Sequence, residues 1–142
     1  MSIIGSLFLL LNHMVKQITA LELKDLEDKD GHYLIDVRTP EEWDVVGRPD
    51  GEALGLITHF VSYQFQKGEE RELNPNFEQE IDNLNLDKSK NIFFICRSGA
   101  RSRNAAEIFE KKGFQTFNIS DGFSRSDTIY KSSWKADKLP IK

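Results

Sequence analysis

The chain holds a single cysteine, and its neighbours are the types that make a thiol reactive. The segment reads Cys96-Arg97-Ser98-Gly99-Ala100-Arg101-Ser102, with a third arginine at Arg103. It follows the apolar run Ile92-Phe93-Phe94-Ile95, and apolar positions at Ala105, Ile108 and Phe109 follow it at helical spacing. The thiol is therefore expected at the C-terminal end of a buried strand, against the start of a helix. Unpaired N–H groups and the dipole at a helix start favour an anion, and a thiolate is one. Such a position, with arginines nearby, lowers a cysteine pKa from about 8.5 toward neutrality. Gly99 lets the backbone turn so that successive amides can point inward. Free cysteines are often simply buried. An inert core thiol, however, has no use for a loop of two arginines, two serines and a glycine.

The rest of the chain must build the sheet that carries this loop. Thr19 and Glu22 fit a capping box, with Leu23 and Leu26 facing a core, so the spacing predicts a short extended start and a helix between Ile18 and Asp30, ended by Gly31. Tyr33 to Val37 reads as a buried strand. Thr39, Pro40 and Glu42 open a second helix with another capping box, stopped by Gly47 and Pro49. Residues 47–76 carry no clear period. Asn74-Pro75 opens a helix through Phe77, Ile81 and Leu84. The helix after the cysteine loop closes at Lys111, Lys112 and Gly113, and Thr116 to Ile119 reads as a further strand. Strand, helix and strand with short joins imply parallel strands. The expected fold is α/β: a single domain with a parallel sheet and helices on both faces.

Composition narrows the function. The 142 residues suit one domain, and 39% hydrophobic with 30% charged residues is a soluble globular composition. The net charge of −4 argues against a general nucleic-acid partner. One cysteine excludes an intramolecular disulfide or a multi-cysteine metal site, and implies a reducing, cytoplasmic setting. His13, His32 and His59 lack paired ligand spacing with Cys96, so no metal and no cofactor is expected. Residues 1–95 hold 9 basic and 18 acidic side chains; residues 96–142 hold 10 and 5. This asymmetry is either an uneven solvated surface or an electropositive pocket built by the C-terminal third. The apolar run at residues 3–11 is about half of the ~20 residues that span a bilayer, so no membrane span is expected. It also lacks the flanks of a signal peptide. Residues 1–13 are set apart as an extension, either upstream of the true start or packed on the domain or a partner, and 14–142 as the domain.

Three segments resemble the rhodanese-like sulfurtransferases. Leu34-Ile35-Asp36-Val37-Arg38 with Glu41-Glu42-Trp43 looks like that family's opening strand and helix. Ile95 to Ser102 looks like its active-site loop, and Phe117-Asn118-Ile119 with Gly122-Phe123 like the strand and turn that follow. The resemblance implies a rhodanese-like fold and sulfur transfer through a Cys96 persulfide. Cys96 would take the outer sulfur of a small anionic donor such as thiosulfate. A thiophilic acceptor (cyanide, a thiol or a protein) would then remove it. The loop Arg97, Ser98, Gly99, Ala100, Arg101 and Ser102 would bind the transferring group, with Arg97 and Arg101 meeting donor charge. Asp36 and Arg38 would be structural. Gly47-Arg48-Pro49-Asp50-Gly51 departs from the family's common Gly-His-Ile pattern, and Leu56 to Gly68 is longer than in compact members. This stretch is expected to border the site.

Two other readings compete. Phosphatases and arsenate reductases of related fold also cradle a thiolate in amides, but carry five residues between Cys and Arg; here four separate Cys96 from Arg101. Non-catalytic rhodanese-like interaction modules usually lack the cysteine, which is present here. His59 is expected to pack rather than to act, Trp43 to anchor its helix on the sheet, and Trp134 to pack the tail.

Overall fold

The computed structural model describes residues 14–125 and 131–142; the expectation for residues 1–13 falls outside them. Five strands form one parallel sheet in the order β1-β7-β6-β2-β3: β1 (Lys16–Ile18), β2 (Tyr33–Asp36), β3 (Ile57–Phe60), β6 (Asn91–Ile95) and β7 (Gln115–Ile119). Strands β4 (Gln64–Lys67) and β5 (Glu70–Leu73) pair as a separate antiparallel hairpin. The helices are α1 (Ala20–Asp25), α2 (Pro40–Val46), α3 (Phe77–Asp82) and α4 (Ala100–Lys111), with a 3-10 turn at Gly51–Leu54. The α/β fold with helices on both faces is the one the sequence predicts.

Side chains alternate across the sheet, as the pleat requires. Ile35, Ile92, Phe94 and Cys96 face Phe77 and Ile81 of α3 and Ala105, Ala106 and Phe109 of α4. Leu34, Phe93, Ile95 and Ile119 face the other way, onto Leu23 of α1 and the tail residues Phe123, Trp134 and Leu139. The central strand β6 is covered on both sides, which is why its sequence is an unbroken apolar run.

Both predicted capping boxes are present, Thr19 with Glu22 and Thr39 with Glu42. Helix α1 ends earlier than expected, at Asp25. Leu26 turns extended (φ −63°, ψ 135°), and Lys29 Nζ donates to the Lys24 and Leu26 carbonyls, supplying partners the helix end would otherwise lack. Helix α3 starts at Phe77, after the Asn74-Pro75 turn. The stretch without a clear period contains β3 and the hairpin. β3 is an edge strand with no fully buried residue, and β5 is exposed throughout, so neither shows an apolar signature. Trp43 packs edge-on to Phe60, tying α2 to β3.

Candidate active site

Strand β6 ends at Ile95, and the next residue is the thiol. Cys96 is buried, 1% exposed. Its carbonyl accepts from Phe123 N–H (2.8 Å), which anchors the loop to the turn after β7. Arg97 and Ser98 are exposed and Gly99 is buried. Gly99 takes φ +100°, a conformation an L side chain rarely adopts, and a Cβ there would press on the Ser120 carbonyl. This turn aims the Gly99 N–H back at Cys96 Sγ, 3.1 Å away. Gly122 (φ +65°) leaves equally little room: its Cβ would collide with the Arg97 carbonyl. The cradle is thus shaped by two glycines on neighbouring loops.

Helix α4 begins at Ala100, with the sulfur against its N-terminal turn. Ser102 Oγ lies 3.2 Å from Cys96 Sγ and donates to Asn118 Oδ1 at 2.6 Å. Asn118 Nδ2 donates to the Gly99 carbonyl (3.0 Å) and to Gln17 Oε1 (2.9 Å). Strands β1 and β7 therefore hold the loop from below through one amide side chain.

Arg101 has a different partner from the one the sequence suggests. Its two terminal nitrogens donate to both Glu42 oxygens, at 2.7 and 3.0 Å, and the two side chains are 11% and 14% exposed. This bidentate pairing is the strong geometry for arginine and carboxylate. Glu42 also accepts from Thr39 N–H and lies 3.5 Å from Arg71 on β5. Burial alone would raise its pKa, but the Arg101 hydrogen bonds and charge, with Thr39 and Arg71, bring it down to about 2. Burial opposes the charge on Arg101, yet the Glu42 bonds and charge outweigh it, aided by Cys96 and Asp36, and raise its pKa. Arginine has five N–H donors, and this pairing uses two of them. The hairpin reaches the Arg101–Glu42 pair through Arg71 of β5, just beyond the stretch to Gly68 that the sequence marks as bordering the site.

Asp36 and Arg38 form a fully buried pair (2.8 Å), with Arg38 also donating to the Gly47 carbonyl and stacking over Phe123 at 4.0 Å. This is a packing role. His59 packs near the Tyr33 ring (6.3 Å) at the start of β2; burial lowers its pKa and Glu52 opposes. The basic excess of the C-terminal third is met in part by acidic residues from earlier in the chain: Arg101 by Glu42, Lys112 by Glu78 and Asp82.

Sequence reasoning missed Glu42 as a site residue, because its capping-box signal accounted for it fully. It also missed Asn118 and Gln17. The available signal for Asn118 was a polar residue between the apolar Phe117 and Ile119 of a strand.

The rhodanese-like domain family matches residues 19–126. An uncharacterized protein of Rickettsia conorii is 38% identical over 117 residues, 81% of this chain and 86% of that protein. The putative sulfurtransferase YtwF of Bacillus subtilis is 33% identical over 109 residues, 76% of this chain and 86% of that protein. The crystal structure of Rv0390 from M. tuberculosis superposes with a TM-score of 0.72 at 31% identity, covering 91% of this chain and 98% of that one. With the parallel sheet and the loop after β6 already in place, the match over most of the chain settles its kinship: this protein belongs to the rhodanese-like domain family.

Proposed function

We propose that the protein is a sulfurtransferase that carries sulfur as a persulfide on Cys96. The observation that carries this reading is the convergence of the Gly99 N–H and the Ser102 hydroxyl on a single buried sulfur at the start of α4. With thiosulfate as donor, the Cys96 thiolate attacks the outer sulfur. The S–S bond of the donor breaks, and sulfite leaves with its electron pair. A thiophile such as cyanide or a thiol then attacks the outer persulfide sulfur, and the Cys96 thiolate departs. The loop from Arg97 to Ser102 binds the transferring group, with Arg97 and the remaining donors of Arg101 meeting donor charge. Preorganised amides cost no reorganisation as that charge moves to the outer sulfur. The partners are a small anionic donor and a thiophilic acceptor, in the cytoplasm. Among the described residues, no helix is long and apolar enough to cross a membrane.

The four-residue spacing from Cys96 to Arg101, and the commitment of Arg101 to Glu42, favour sulfur over phosphoryl chemistry. Intact mass after incubation with thiosulfate tests the reading. The expected result is a gain of one sulfur, removed by cyanide and absent in Cys96→Ser. No gain while Cys96 remains alkylable would overturn the thiosulfate route; turnover retained by Cys96→Ser would overturn the mechanism.

A further inference from the structure

The Ser102 hydroxyl has one proton and two acceptors within reach, the Cys96 sulfur and Asn118 Oδ1. The orientation of the Asn118 amide follows from its surroundings. The Gly99 carbonyl can only accept, so it must face the Asn118 NH2, and Oδ1 is left for Ser102. Gln17 Oε1 takes the second amide hydrogen from the neighbouring strand, at the paired position of β1.

Resting on the sulfurtransferase reading, we infer that Asn118 is a positioning residue that competes with the Cys96 sulfur for the Ser102 proton. While Sγ is uncharged, as a thiol or as the inner sulfur of a persulfide, the proton stays on the short bond to Asn118. When Sγ carries the charge, as the attacking or departing thiolate, the hydroxyl rotates and donates to it. No covalent bond changes in this step. Asn118 thereby biases the site toward states in which the charge lies on the outer sulfur or is absent.

The other charged groups about the sulfur are Arg97 of the loop and Arg101 of α4, the latter paired with Glu42 of α2 and through it with Arg71 of β5. On β2, Asp36 is bound to Arg38. On β7 the facing group is Asn118 itself, which does not titrate.

The pH profile of iodoacetamide alkylation of the full chain tests this. Ser102→Ala removes the hydroxyl donor, and its profile moves to higher pH. Asn118→Val removes the competing acceptor and suits a strand. Its profile moves to lower pH, with alkylation roughly tenfold faster than wild type below the wild-type midpoint. Adding Ser102→Ala cancels that gain. Asn118→Leu, closer in volume, is the second variant and moves the same way, with melting curves confirming that each variant folds. An unchanged or higher profile in the Asn118 variants, a gain that survives Ser102→Ala, or failure of both Asn118 variants to fold would make Asn118 a support for the Gly99 turn only and overturn the inference. Wild-type sulfur loading is measured alongside. Its absence would overturn the thiosulfate route of the sulfurtransferase reading, while the alkylation profiles still judge the competition for the proton.

Discussion

Glu42 shows how one side chain can serve two structures. Its carboxylate closes the capping box of α2 and, at the same time, holds Arg101 beside the thiol loop. The folded-state pKa of about 2 lies below the ordinary 4.5, so the folded state releases this proton more readily than the unfolded chain. Its stabilisation is complete above about pH 4.5 and is lost as pH falls toward 2. Glu42→Gln is expected to cost on the order of 2 kcal/mol at neutral pH. It also flattens the acid limb of stability, measured by urea unfolding at neutral and acid pH. Equal losses at both would show that the carboxylate charge is not what matters.

At the scale of elements, the site lies where two loops press together, one following β6 and one following β7. Gly122 permits that approach, since any Cβ would meet the Arg97 carbonyl and the Ser98 nitrogen. Gly122→Ala is expected to displace the cradle, slowing sulfur loading by about a hundredfold and lowering stability by roughly 2 kcal/mol. Gly68, in the hairpin turn, also has positive φ (+62°) but nothing within 4 Å of its Cβ position. Gly68→Ala should therefore cost only backbone strain, about 1 kcal/mol, and leave the loading rate unchanged. Loading rates and melting temperatures of the two variants separate close approach from backbone conformation.

Across the whole molecule, the chain closes on itself through its tail. Trp134 is fully buried, its indole N–H donates to the Pro140 carbonyl, and its backbone N–H donates to Gly122 O beside the site. Pro49 and Ile141 form an antiparallel bridge, and Arg48 and Lys142 exchange backbone hydrogen bonds. Trp134 and Leu139 lie beyond the family match at 19–126, yet they help to cover one face of the sheet. Trp134→Ala is expected to cost about 3–5 kcal/mol, read from the urea midpoint. A loss below about 1 kcal/mol would mean that the tail is an accessory and not part of the core.

The sequence by itself determined the elements whose signals are local. The capping boxes at Thr19 and Thr39, the doubly covered strand Ile92 to Ile95, and the glycine turn after Cys96 depend on residues close together in the chain. It also placed the thiol between a strand end and a helix start, because that junction is set by consecutive residues. Only the tertiary structure decided the partners of that thiol's neighbours. Arg101 meets Glu42 across 59 positions and Asn118 meets Gln17 across 101, distances over which spacing carries no information. Strand β3 and the β4–β5 hairpin were illegible for a related reason. Edge and exposed strands bury too little to impose a period, and their place comes from pairing with β2 and from the reach of Arg71 to Glu42.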